Sequence, residues 1–367
     1  MKKQLLNRYF LWSNMVFYAP IALLIRTERG ITLSEFFYLQ AVLSITIFFA
    51  EIPLGMITDR IGYKKSMVMS QGLLIIARIV LYFAQTFSVF FFEAVLEGVS
   101  FAFHSGTLTA YVYEVFGKEE YAEKMASLSN YGTVGFFIST IGFYFLSRNF
   151  HQDALIVFTI LTGIIAFIFI LPLDEVKRKK RTQIKVSFQW EYLKIMFLNS
   201  VLSISYLLVN FFYVGLLQEL GISESYMTAF ILVYSAIGCL GPILVRKRRF
   251  FSTRKNLSFY YGWAMLFFLL LGKLKNYTLF IFMVILPPTL QMIGIYLGEF
   301  EQRAIDRWDK DQRATLLSLF SMGANGMDTV FLLLSSQIVR QSFRPIFHAV
   351  ALIYGILAFT MGRKNRA

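Results

Sequence analysis

Apolar runs of about twenty residues recur from one end of this 367-residue chain to the other, separated by short connections that carry charge. A hydrocarbon layer about 30 Å thick takes roughly 20 helical residues to cross. No water is available inside it, so each run must pair its own N–H and C=O groups, which a helix does. On that rule twelve crossings are expected. In the first half they fall at residues 9–25, 34–54, 66–84, 90–113, 125–146 and 154–173. In the second half they fall at 192–216, 226–245, 257–271, 278–297, 315–338 and 346–361, the ninth and twelfth being the shortest. Composition agrees: 57% of residues are hydrophobic, 16% are charged and mean hydropathy is +0.59, too little polar surface to wrap a soluble protein of this size. The residues before the first run lead straight into a full-length apolar segment, which reads as a retained span and not a cleaved leader.

The basic residues then orient the chain. One set of connections holds Lys2, Lys3, Arg8, Lys64, Lys65, Lys118, Lys124, residues 177–181, residues 246–249, Arg254, Lys255, Arg303, Arg307, Lys310, Arg313, Arg363, Lys364 and Arg366. The opposite set holds only Arg26, Arg29, Arg148, Lys273, Lys275, Arg340 and Arg344. The rich side is expected to be cytoplasmic, with both termini inside a multi-pass protein of the cell membrane. A net charge of +14 also raises nucleic acid as a partner, but these charges cluster between spans, where they serve topology. The single cysteine, Cys239, lies in an apolar run, and His104, His151 and His348 are scattered. Neither a disulfide framework nor a metal site follows, and without a phosphate-binding loop no nucleotide cofactor is expected.

The longest polar interruption, residues 174–190, carries the run Lys177-Arg178-Lys179-Lys180-Arg181 near the middle of the chain. It reads as a linker between an N-terminal six-helix bundle, 1–173, and a C-terminal one, 191–367; a lipid-binding basic patch would use the same residues. A weak repeat supports the halves. Tyr111-x-x-Glu114 leads through a charged loop to Ala126-Ser127-Leu128, as Tyr296-x-x-Glu299 leads to Ala314-Thr315-Leu316. The fold class is an all-α membrane protein of two six-helix bundles, with a mid-membrane cavity between them.

Residues 55–65 read Gly-Met-Ile-Thr-Asp-Arg-Ile-Gly-Tyr-Lys-Lys between the second and third runs. The segment resembles the loop between the second and third helices of the major facilitator superfamily. Gly55, Asp59, Arg60, Gly62, Lys64 and Lys65 fit its pattern, and Tyr63 departs from it, since a basic residue is usual there. The resemblance implies a conformational latch made of Gly55, Asp59, Arg60, Gly62, Lys64 and Glu114. Asp59 would dock on the positive N-terminal end of the helix starting near Thr315, and Arg60 would pair with Glu114. Without such docking the charges serve topology alone.

Ionisable groups inside a span are costly and usually functional or paired. Here they are Glu51, Arg78, Glu93, Glu97, His104 and Asp328. Glu51 lies about one turn before the motif and would brace it. Arg78 and Glu93 flank one connection at similar depth, so they are expected to form a structural ion pair. Glu97 is then left without a cation, unless it serves Arg78 as a second partner. In the family the fourth helix lines the cavity and often carries Arg-x-x-Gln-Gly; here Ala94 takes the arginine place and Glu97-Gly98 the Gln-Gly place. Glu97, Asp328 and His104 are accordingly the candidates for carrying a proton, Glu97 foremost, and Glu97 could instead neutralise a cationic substrate. Asn14, Tyr18, Asn210 and Gln291 are candidates for lining the substrate cavity, with Pro287-Pro288 expected to kink the tenth span beside it.

These readings converge on a secondary active transporter working by alternating access, a monomer in the lipid bilayer with protons as coupling ion. Its expected task is efflux of an amphipathic or cationic small molecule. Import or facilitated passage of a polar solute is the alternative. The fifth span has Gly132, Gly135 and Gly142 but lacks the Gly-Pro pair of many drug–proton exporters, and residues 246–255 do not repeat the motif. A membrane enzyme or non-transporting binding protein would need a catalytic constellation on one face, and none is present in the sequence.

Overall fold

A computed structural model of the chain describes residues 2–176, 190–222, 230, 233, 253–308, 313–338 and 344–363. The eighth expected span, at 226–245, lies outside the described residues apart from 230 and 233, as does most of the linker. The chain forms two compact units, Met1–Ile184 and Lys185–Ala367. The first contains α1 (Lys2–Ser13), α2 (Ala22–Glu28), α3 (Leu33–Ile61), α4 (Tyr63–Phe83), α5 (Phe87–Asn149) and α6 (Gln152–Ile170). The second contains α7 (Trp190–Glu219), α8 (Thr253–Lys273), α9 (Leu279–Trp308), α10 (Arg313–Ile338) and α11 (Arg344–Arg363). Seven windows among the described residues are long and apolar enough to cross a bilayer: Leu33–Glu51, Tyr63–Phe83, Phe87–His104, Gln152–Ile170, Trp190–Asn210, Leu279–Gly298 and Arg344–Gly362.

The first expected span is not one helix. Residues 14–18 leave the helical path between α1 and α2, ahead of a short turn at Ala19–Ile21 that contains Pro20. Backbone groups freed at such a break need partners. Side chains of α6 supply them: the Thr159 hydroxyl accepts from Phe17 N–H at 3.0 Å, and the Thr162 hydroxyl donates to the Met15 carbonyl at 2.9 Å. The glycines of the fifth expected span lie against the same stretch. A Cβ at Gly135 would collide with the Leu11 carbonyl, and one at Gly142 would come 2.6 Å from the Phe17 ring.

The fourth and fifth expected spans form one continuous helix, α5, where a separating loop was expected. At 1.5 Å per residue a straight helix of 63 residues would be about 95 Å long, several bilayers thick. It therefore doubles back. Contacts along the first span give the sense: Arg26 meets Glu93, Tyr9 meets His104, Asn7 meets Lys124 and Asn14 abuts Gly132. The earlier arm of α5 thus runs antiparallel to the first span and the later arm parallel to it. Leu108, Tyr111 and Val112 share a buried cluster with Leu128, which places the bend between them.

In each unit two helices pack side by side and are tied at one end by an arginine. Beside α4 and α6, Arg29 donates to the Leu81 and Ala84 carbonyls at the C-terminal end of α4, at 2.7 and 3.2 Å, and pairs with Asp153 of α6 at 2.5 Å. Beside α8 and α11, Arg344 of α11 donates to the Gly272 and Leu274 carbonyls at the C-terminal end of α8, at 3.3 and 2.6 Å, and pairs with Glu219 of α7. The carbonyl cup is the same, supplying donors to the last carbonyls of a helix, where intrahelical partners run out. The charges have traded places, since the arginine follows α2 in one unit and opens the last helix of the other. Arg29→Ala should lower stability by about 1–2 kcal/mol, through an Ala84 carbonyl left without its donor and an Asp153 left with His151 alone. Arg29→Asp combined with Asp153→Arg, which copies the second unit's arrangement, should recover most of the loss in thermal melts of purified protein. Additive damage in that double variant would show that the two ties are not equivalent.

Candidate functional site

Four charges meet inside the first unit. Arg26, on the last turn of α2, reaches both Glu93 oxygens at 3.0 and 3.2 Å and its own helix at the Ala22 carbonyl. Arg78 of α4 reaches Glu93 at 3.4 Å and Glu97 at 2.6 Å. Side-chain exposure is 1% for Glu93 and at most 12% for the other three, so this is a desolvated, neutral set of two arginines and two glutamates. Tyr18 lies over the Arg78 guanidinium at 5.3 Å and Phe90 over Arg26 at 5.9 Å, contacts that suit weakly hydrated guanidinium planes.

The cluster changes two expectations. The Arg78–Glu93 pair is present, but Glu97 is not left without a cation: it makes the shorter of Arg78's two contacts. The cause is Arg26, expected in an outer connection and found buried. The break at residues 14–18 lets α2 continue inward, so Arg26 takes Glu93 and frees Arg78 for Glu97. Tyr18, expected to line a cavity, is a buried lid on this cluster, and Asn14 is exposed on the non-helical stretch. His104 is half-buried beside the rings of Tyr9 and Phe10, with no hydrogen-bond or ion-pair partner among the described residues.

At the motif, Gly62 separates α3 from α4 with φ of +103°, a backbone region in which glycine carries no steric penalty. The N-terminal turn of α4 is capped from the start of the linker: the Glu175 carboxylate accepts from Lys64 N–H at 3.0 Å and Lys65 N–H at 3.1 Å. Tyr63 N–H donates to the Val176 carbonyl at 3.1 Å. A carboxylate there satisfies orphan donors and the positive helix end together. A Cβ at Gly62 would collide with Glu175, a second reason for glycine. Tyr63, the departure from the pattern, is buried among Leu6, Tyr9 and Met67. Arg60 and Glu114 are both exposed and form no ion pair with each other among the described residues, against expectation. Gly55 lies within the last turns of α3, and the side chains of Asp59 and Thr315 lie outside what the structure describes. Nothing in the motif itself announced Glu175; an acid 110 residues beyond Lys65 carries no sequence signal.

In the second unit α7 packs against α9 and α10 and presents consecutive polar residues to them. Asn199 donates its side-chain amide to Glu301 of α9, and Ser200 donates its hydroxyl to the buried Asp328 of α10. No cation pairs with Asp328 among the described residues. Glu301 lies beyond the apolar window of α9; burial raises its proton affinity above that of an ordinary glutamate, and the Asn199 hydrogen bond offsets part of that. Asn210 is exposed and Gln291 half-buried, while α9 continues through Pro287 and Pro288. Among the described residues no three of His, Cys, Asp and Glu gather as a metal site would require.

The family model described as Major Facilitator Superfamily matches residues 6–300. No curated protein matches the chain. Among solved structures, a variant of the nucleoside transporter NupG superposes with a TM-score of 0.75 at 14% identity, covering 99% of both chains. A second NupG structure gives 0.70 at 14% identity, covering 100% of this chain and 98% of that one. A D-xylose-proton symporter gives 0.75 at 10% identity, covering 98% of this chain and 95% of that one.

Removing one member of a buried pair strands the other charge, typically at 3–5 kcal/mol, whereas replacing both by apolar groups is often nearly neutral. Arg26→Met should therefore cost about 3–5 kcal/mol or abolish folded protein. Arg26→Met with Glu93→Leu should melt within about 1–2 kcal/mol of the parent. A double variant as unstable as the single one would remove Arg26 as the partner of Glu93.

Proposed function

The chain belongs to the major facilitator superfamily, and from that premise we propose a proton-coupled secondary transporter of twelve spans, working by alternating access, in which Asp328 carries the proton. The observation behind this assignment is the environment of Asp328: buried, held by a serine hydroxyl, with no paired cation among the described residues. A carboxylate locked to arginine cannot accept a proton without stranding a buried cation. One held by a hydroxyl can, because serine both donates and accepts. By that criterion Glu97, held at 2.6 Å by Arg78, belongs to the scaffold, and His104 has no partner for a relay among the described residues.

The solute is a small polar molecule entering with protons. The D-xylose–proton symport of one structural neighbour supports that direction, nucleoside transport by another supports a polar solute, and the missing Gly-Pro pair of exporters agrees. Efflux of an amphipathic or cationic compound is the second reading, favoured by the same carboxylate, which could neutralise a cation directly. Both termini and the linker face the cytoplasm, and the motif loop acts as a latch whose helix α4 is capped by Glu175.

Reconstituted protein tested with uridine, D-xylose and ethidium under an imposed proton gradient separates these readings. Asp328→Asn should lower uphill accumulation at least about tenfold while sparing solute exchange, since the amide keeps its shape but carries no proton. Glu97→Gln should reduce folded yield more than coupling in the protein that does fold. Normal accumulation by Asp328→Asn alongside uncoupling by Glu97→Gln would move the proton to the first unit. For the latch, Asp59→Asn should cut transport by about tenfold with folded protein retained, through loss of a charge at a helix end. Full activity would leave the loop with topology alone.

A further inference from the structure

We infer that one water molecule is bound in the first unit, between the broken first span, α4 and α6, accepting a hydrogen bond from Arg78 and donating to Gln71 and Thr162. The three elements border a partly open cavity of about 20 Å³, where Gln71, Arg78, Thr159 and Thr162 stand beside apolar Met15, Val16, Leu74 and Ile75. A buried water needs about 10–15 Å³ and two to four polar partners, and apolar cavities stay dry. This one has room for a single molecule, and its polar groups are unevenly used.

Gln71 is 2% exposed and donates its amide N–H to the Gly163 carbonyl at 3.1 Å. Its amide oxygen has no protein partner among the described residues. A buried amide oxygen left so would lose a full hydrogen bond's worth of solvation. Arg78 is 8% exposed, and its bonds to Glu93 and Glu97 use part of a five-donor guanidinium. The Thr162 hydroxyl proton is committed to the carbonyls of Met15 and Thr159, which leaves its oxygen able to accept. The lining residues thus offer one donor and two acceptors around a volume that fits one water, and water matches all three at once. It would link the guanidinium of α4 to α6 beside the stretch where the first span leaves the helix.

Met15 makes the site testable. It lines the cavity yet is only 5% exposed, whereas Met67 of the same unit is fully buried away from it and Met56 is exposed. X-ray pulses on the full-length protein in lipid generate hydroxyl radicals from bound water in place, and mass spectrometry reads the oxidised side chains. Met15 should be oxidised about tenfold faster than Met67, approaching Met56 despite its burial. Gln71→Leu removes one acceptor and should bring Met15 down towards Met67. A Met15 rate equal to that of Met67 in the parent overturns the site. A high rate that Gln71→Leu leaves unchanged also overturns it, because the radicals then arrive from bulk solvent.

Discussion

A guanidinium inside a bilayer cannot be left to solvent, and where its partners lie decides which helices are joined. Arg26 and Arg78 spend their donors on Glu93 and Glu97, tying α2 and α4 to the first arm of α5. Arg29 and Arg344 spend theirs on helix-end carbonyls and one carboxylate each. Hydrophobic association does little in lipid, where tails are as apolar as leucine, so packing and polar contacts of this kind carry more of the specificity. The break at residues 14–18 follows from the same bookkeeping: its backbone is tolerated because Thr159 accepts from a freed N–H and Thr162 donates to a freed carbonyl.

The carboxylates divide into two kinds. Glu93 and Glu97 belong to a set whose charges cancel, so protonating either unbalances the rest. Glu301 and Asp328 are held by an amide and a hydroxyl, and neither partner changes charge when the acid does. A coupling group must be able to switch without dismantling its surroundings. Consecutive residues of α7 hold both acids of the second kind, so one turn of that helix orients the two.

The class and helical character were legible from run length and composition, because the thickness of a bilayer sets a length that a sequence displays directly. The motif segment reads as a loop, but helix continues through Ile61 and resumes at Tyr63, so only Gly62, at positive φ, makes the turn. What was not legible depended on direction in space. Arg26 sits near the end of an apolar run and looks like a loop cation; only the break upstream shows that it points inward to Glu93. Glu175 lies in a charged stretch and reads as linker until it is seen capping α4. The helical passage between the arms of α5 escaped because residues 114–124 are dense in charge, which favours a loop by composition while permitting a helix by propensity.

The two arginine ties have one further consequence. What the units share at that end is a circuit: a negative helix terminus, a cation seated in it, an anion behind the cation. The circuit is indifferent to which strand of chain supplies each sign. Aligned by position, Arg29 would fall near Glu219 and Asp153 near Arg344, so residue-by-residue comparison scores as opposites two arrangements that are electrically the same. Kinship between the halves of such a protein is better sought in its wiring than in its letters.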